Sequence, residues 1–312
     1  MTATVDFSRR RFLQHTAALG ATIGATSLLS TSTAWASMAI GEGRLSVLSD
    51  GNLQLPTTNL VAGQSEDTVA AFYAEHGLDP TAPYTPPCNL TLWQQGDNLV
   101  LFDVGAGPNF MPTAGKLIDA FDEAGVDPQD VTHVCFTHAH PDHIWGLLDD
   151  FDDLICPNAE YLVPQAEWDY WMDPNTLSRT PAERQAFVAG ARRYLELLAE
   201  QSRRFNFGEE VLPGVHAVDS SGHTPGHTAY VLADGQSQAM VVGDALLNPV
   251  TAFVKPKWYS NSDQDQALAA QTRMRLLSEL AQSAMPLVGY HLPGGIGHVE
   301  KQGQAYRFVP QS

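Results

Sequence analysis

Val131-Thr132-His133-Val134-Cys135-Phe136-Thr137-His138-Ala139-His140-Pro141-Asp142-His143 is the stretch from which the fold can be read. Its first half is an apolar run of the kind a buried strand requires. Its second half places four candidate metal ligands, His138, His140, Asp142 and His143, directly after that strand. Imidazole and carboxylate together suit zinc and similar divalent ions. Packing alone does not account for such a cluster, because His and Asp are rarely buried without partners. A closed structural zinc site is the competing reading, but such sites are usually rich in cysteine.

Further motifs follow in chain order. Leu101-Phe102-Asp103-Val104-Gly105 precedes the cluster. Gly222-His223-Thr224-Pro225-Gly226-His227, Val241-Val242-Gly243-Asp244 and Gly289-Tyr290-His291 come after it. Together with H-x-H-x-D-H, this ordered set resembles the metallo-β-lactamase superfamily of hydrolases. The resemblance runs from about Leu90 to His291. It implies an α/β fold, a four-layer αββα sandwich. It also implies two divalent cations, zinc first, with manganese, iron or cobalt as alternatives. His138, His140 and His223 would hold one cation. Asp142, His143 and His291 would hold the other, and Asp244 would bridge them. Asp142 and Asp244 are the expected catalytic carboxylates. His227 is expected to support the ligands or the fold rather than bind, and Asp103 to order a loop beside the site.

Such a pair of cations can lower the pKa of bound water from about 16 toward roughly 7 and polarise a carbonyl or phosphoryl oxygen, so no protein nucleophile is needed. The resemblance therefore implies cleavage of a small ester-like substrate. Asp244 separates the chain from the true β-lactamases, which lack that residue. Leu247 stands where dedicated homoserine-lactone lactonases carry a tyrosine. His291-Leu292-Pro293-Gly294-Gly295-Ile296-Gly297-His298, the ending Tyr306-Arg307-Phe308-Val309-Pro310 and Asn261-Ser262-Asp263 look similar to methyl parathion hydrolase-type enzymes. That likeness implies aryl ester, lactone or phosphotriester substrates and an aromatic pocket at Phe110, Trp171 and Phe187. The same three residues could equally pack a core. An acyl-homoserine lactonase and a non-catalytic periplasmic zinc-binding protein are the alternative readings.

The bulk composition agrees with one large globular domain. The chain has 312 residues, 44% hydrophobic and 17% charged, enough for a sizeable core. Its net charge is −18, from 17 Lys+Arg against 35 Asp+Glu, a field that repels phosphate backbones and anionic lipid. Nucleic acid is therefore not an expected partner. Cys88, Cys135 and Cys156 show no C-x-x-C spacing, and a Cys88–Cys156 disulfide stays open.

Ser8-Arg9-Arg10-Arg11-Phe12-Leu13, a mildly apolar stretch from Ala17 to Leu29 and Ala34-Trp35-Ala36 resemble a twin-arginine export signal with its cleavage site. The expected division is a signal peptide at 1–36 and a hydrolase domain at 37–312. The protein would pass the Tat translocase folded and reach the periplasm or medium, with no membrane attachment after cleavage. Relatives often dimerise, which makes a homodimer an expectation too.

Periodicity places strands at Leu45–Leu48, Leu90–Trp93, Leu99–Phe102, Val215–Val218, Thr228–Leu232 and Ala239–Val242, with Pro286–Tyr290 as the last. A hairpin turn is expected at Gln95–Asn98. Helices are expected at Val69–His76, at Thr113–Ala124 with Leu117, Ile118 and Phe121 on one face, and at Asp263–Ser283. Another should run from a Thr180 cap to about Gln201, with Phe187, Ala191, Tyr194 and Leu198 as its apolar stripe. Strands at both ends with helices between and after them point to two sheets packed face to face under helices.

Overall fold

The computed structural model describes residues 36–311; the expected export signal lies outside the described residues except for Ala36. In chain order come β1 (Ser37–Ile40), β2 (Gly43–Asn52), α1 (Glu66–His76), β3 (Pro87–Gln95), β4 (Asn98–Phe102) and α2 (Leu117–Ala124). The ligand strand β5 (His133–Cys135) follows, then the one-turn α3 (Pro141–Ile144), β6 (Glu160–Pro164), α4 (Gln165–Met172), α5 (Thr176–Arg179), α6 (Gln185–Leu197) and β7 (Ser202–Phe205). The second half contains β8 (Glu210–Leu212), β9 (Val215–Asp219), β10 (Thr228–Asp234), β11 (Ser237–Val241), α7 (Thr251–Val254), α8 (Gln266–Ser283), β12 (Leu287–Val288), β13 (Ile296–Gln302) and β14 (Ala305–Pro310).

Strands β1 to β7 form one sheet in sequence order, and β8 to β14 form a second of the same kind. Each sheet buries both faces. Val100 and Phe102 of β4 and Cys135 of β5 meet Val215, Tyr230 and Leu232 of the other sheet. On the reverse face, Leu101 and Val134 pack with Leu117 and Phe121 of α2 and Val188 and Leu195 of α6. Met240 and Leu287 face Leu276, Leu277 and Leu280 of α8. The layers run helix, sheet, sheet, helix, which is the expected four-layer αββα sandwich. Burial on both faces explains why the ligand strand reads as a continuous apolar run rather than an alternation.

Strand direction gathers the site. β4 and β5 are parallel neighbours. β9 and β11 both run antiparallel to β10, and β12 is parallel to β11. The carboxyl ends of β4 and β5 therefore share one end of their sheet, and those of β9, β11 and β12 share one end of theirs. These are the ends that carry Asp103, the 138–143 loop, the 220–227 loop, Asp244 and His291.

Several expectations need correction. Pro286–Tyr290 is not the last strand: only Leu287–Val288 is extended, and a hairpin, β13–β14, closes the sheet after a turn at Gly294 and Gly295. α2 begins at Leu117 rather than Thr113, and Ile118 points outward, with Ala120 completing the buried face. The segment before α2 is instead held by Asp50, whose carboxylate accepts from the N–H groups of Ala106, Gly115 and Leu117 at 2.8–3.1 Å. Thr180 does not cap α6. Its hydroxyl donates to the Thr176 carbonyl, a 3-10 turn covers Ala182–Arg184, and α6 ends at Leu197. Val188 and Leu195 join its stripe, while Phe187 turns out of the core. All three cysteines are buried free thiols, and none of them forms a disulfide. Burial pushes the Cys156 thiol up to about 12. Among the described residues, no helix is long and apolar enough to cross a membrane.

Candidate metal centre

The seven expected ligands meet. His138, His140, His223 and Asp244 form one group of potential ligands, and Asp142, His143, Asp244 and His291 form a second; in each, the ligand atoms lie within 4.8 Å of one another. Asp244 belongs to both. All seven side chains are buried.

The outward nitrogen of each ring shows which way the inward one is prepared. The Thr137 hydroxyl donates to Asp103 Oδ2 at 2.8 Å, so it accepts from His138 Nδ1–H at 3.0 Å. His143 Nδ1–H donates to Asp103 Oδ2 at 2.8 Å, His223 Nδ1–H to Asp263 Oδ1 at 3.1 Å, and His291 Nδ1–H to the Pro87 carbonyl at 2.8 Å. Each of these bonds fixes a tautomer and leaves Nε2 to point inward as the ligand atom. His138 Nε2 and His223 Nε2 each approach His140 Nδ1, at 3.0 and 2.9 Å. His143 Nε2, Asp142 Oδ2 and Asp244 Oδ1 are buried with no hydrogen-bond partner. Buried polar atoms rarely go unsatisfied, and three together mark a place for cations. The residues thus fit two divalent ions in donor number, type and orientation.

Electrostatics follow from this crowding. Burial opposes the ionised form of Asp244, but His291, His143 and His223 outweigh it and hold its pKa well below the carboxylate range. Burial alone would lower His223 and His291. The neighbouring carboxylates, Asp244 foremost, reverse this and raise them to about 9 and about 10. His138 and His140 go the other way, kept neutral by burial and by the adjacent imidazoles.

These directions set a pH dependence. In the metal-free protein, the stability contributed by His223 and His291 is complete below the ordinary histidine value of 6.5 and is lost as pH rises through about 9 to 10. Cations must displace the same protons, so affinity should climb with pH up to that range. Against its burial, Asp244, Asp142 and Asp103 raise His143 in the same direction. Zinc titrations at pH 7.5 in buffers of different ionisation enthalpy should therefore show release of roughly three protons per chain, one each from His143, His223 and His291. Release of none would contradict the assignment.

Several supporting residues escaped the sequence reading. Glu167 accepts hydrogen bonds from both ligand loops. Asp263, paired with Arg273 at 2.8 Å, orients His223. The Tyr290 hydroxyl donates to the Asp142 carbonyl. Asp263 and Tyr290 lie in the quoted motifs Asn261-Ser262-Asp263 and Gly289-Tyr290-His291, which do not disclose these roles, and Glu167 lies in none. Asp103 orients His143 directly as well as holding Thr137 N–H at 2.7 Å, more than the loop-ordering role expected of it. His227 supports the bridging strand: its Nε2 accepts the Asp244 N–H at 2.9 Å. Gly243, at φ +49°, permits that approach, since a Cβ there would lie 2.7 Å from His227 Nε2.

A cavity of about 720 Å³ opens over the cluster. Asp142, His140, His223, Asp244 and His291 reach its floor, and Leu53, Leu55, Phe110, Phe187 and Leu247 give it an apolar wall. Ser260, Asn261, Gln264, Arg179 and Arg184 make the remaining side polar. Phe110, Trp171 and Phe187 all border the cavity, yet Trp171 is only 1% exposed. Trp171 is therefore mainly a packing residue behind His140, whose ring centroid is 5.9 Å away.

A sequence profile described as the metallo-beta-lactamase superfamily matches residues 84–295. The N-acyl homoserine lactonase AttM of Azorhizobium caulinodans is 29% identical over 135 residues, covering 43% of this chain and 46% of that protein. The chain thus spans about half the length of the curated relatives it first matches. The solved structure of the hydrolase AbOPH, of the beta lactamase superfamily, superposes with a TM-score of 0.82 at 25% identity, over 89% of this chain and 97% of that one. AidC, a dizinc quorum-quenching lactonase, superposes with a TM-score of 0.81 at 24% identity and the same coverage. The ligand order, the paired sheets and the profile match over most of the chain agree, and the chain belongs to the metallo-beta-lactamase superfamily.

Proposed function

We propose that this protein is an exported dinuclear hydrolase of ester-like bonds, with a lactone or aryl ester as its natural type of substrate and phosphotriesters as a secondary one. The observation that carries this reading is the pair of ligand groups sharing Asp244 on the floor of an apolar-walled cavity. When bound, two cations, zinc by preference for this His and Asp set, would polarise the carbonyl or phosphoryl oxygen of the substrate and supply an activated water. The chain's own residues do the rest. Asp244, anchored through its N–H to His227, keeps the two groups in register. Asp103, Asp263 and the Pro87 carbonyl hold three imidazoles in their ligating orientation. Leu53, Leu55, Phe110 and Phe187 take the acyl or aryl part of the substrate and keep bulk water from the reacting centre. The similarity to a homoserine lactonase supports the lactone member of the class. Leu247, whose side lines the cavity, and the aromatic wall support a broader ester pocket.

Parallel assays with an aryl ester, a lactone series and a phosphotriester test the reading. Turnover should vanish on chelation and return with zinc, cobalt or manganese. Equal turnover by fully metal-free protein would sink it.

Export is part of the proposal. The Ser8–Leu13 motif and Ala34-Trp35-Ala36 support it. Sequencing of the secreted form should find Ser37 at the N-terminus, and replacing Arg9 and Arg10 with lysine should leave the precursor inside the cell. Unchanged secretion of that variant would remove the twin-arginine assignment.

A further inference from the structure

One buried carboxylate outside the ligand set bonds both of the loops that carry the three histidines of the first cation group. Glu167 lies in the first turn of α4 and is fully buried. Its Oε1 accepts from the Ala139 N–H at 2.9 Å and from the Trp171 indole N–H at 2.5 Å. Its Oε2 accepts from the Thr224 hydroxyl at 2.7 Å and from the Gly226 N–H at 3.0 Å. Ala139 sits between His138 and His140, and Thr224 follows His223. All four partners are donors, so only a carboxylate accepts every one of them. The backbones have closed around this arrangement: a Cβ on Gly226 would stand 2.0 Å from Glu167 N.

We propose that Glu167 is the positioning residue that clamps the His138–His140 loop to the His223 loop and so sets the cation affinity of the group those three histidines form with Asp244. The second group is built differently. Its ligands Asp142, His143 and His291 are held by Tyr290, Asp103 and the Pro87 carbonyl, none of which Glu167 touches. The direct contacts of the clamp therefore bracket the ligands of one half of the centre, although Asp142 and His143 continue the loop it holds at Ala139. It also holds Trp171 behind His140, so the aromatic packing and the metal loops share one anchor. This inference rests on the two-cation part of the proposed function and not on the substrate.

The test is a zinc titration of metal-free, full-length protein, followed through the imidazole ¹⁵N shifts of each histidine. In Glu167→Gln, the new amide N–H₂ faces donors and the clamp fails on one side. The His138, His140 and His223 signals should then need roughly 10–100-fold more free zinc, the range typical of residues that orient ligands. His143 and His291 should respond at the wild-type concentration. Thr224→Val removes one of the four donors and spares the carboxylate. It should shift the same three histidines in the same direction by a few-fold, and it serves if Glu167→Gln does not fold. Curves that coincide with wild type, or an equal loss in both groups of histidines, would overturn the proposal. No substrate enters the measurement, so an error in the ester reading would leave its outcome unchanged.

Discussion

Replacing Asp244 with alanine should reduce bound zinc from two ions per chain toward one and cut ester turnover by more than roughly 100-fold, beyond the loss typical of residues that only orient ligands. The reason is topological. Asp244 is the single side chain common to both groups, with Oδ2 3.2 Å from His223 Nε2 and Oδ1 3.3 Å from His143 Nε2. Alanine removes the link while leaving β11 and the His227 contact to the main chain in place. A second consequence separates this account from simple unfolding. Asp244 is the leading cause that raises His223 and His291, so their pKa values should fall in the variant. Proton release on zinc binding should shrink with them. A folded Asp244→Ala protein that keeps two zinc ions and its turnover would refute the shared-ligand role.

Asp103→Ala should have the largest effect on stability. Asp103 is fully buried and holds Thr137 N–H, the Thr137 hydroxyl and His143 Nδ1–H. Removing one partner of a buried charged pair costs about 3–5 kcal/mol, because the other is left uncompensated. Backbone strain adds to this. Asp103 sits at φ +62°, a region that aspartate tolerates and alanine enters at a cost of about 1–2 kcal/mol. Freed from its acceptor, the His143 ring can turn, and cation affinity should fall by about 10–100-fold. Urea unfolding and zinc titration of the variant check both parts. A loss below about 1 kcal/mol with unchanged affinity would show that the Asp103 contacts carry little.

The centre was legible in the sequence for a physical reason. Ligands of one ion must converge, and strand-end loops are where a chain can present several at once. His138, His140, Asp142 and His143 share one such loop, and His223, Asp244 and His291 each follow a strand that points the same way. The sheets were legible in outline because both faces of each are buried, which leaves apolar runs. Glu167, Asp50 and Asp263 were not. Each is a carboxylate with at least one partner dozens of residues away, often a main-chain N–H group that leaves no trace in side-chain type. The β13–β14 hairpin was missed because Gly294-Gly295 and the short β12 look like the end of the fold. Ile118 was misplaced because Leu117 and Phe121 can be joined by Ile118 on one side or Ala120 on the other in arcs of about equal width, and the buried arc runs through Ala120.

Everything above depends on two cations lying on either side of Asp244. Anomalous diffraction at the zinc edge, from crystals of zinc-loaded protein, tests that most directly. The account predicts two peaks, one among His138, His140 and His223 and one among Asp142, His143 and His291, with Asp244 touching both. A single peak, or peaks away from Asp244, would contradict it.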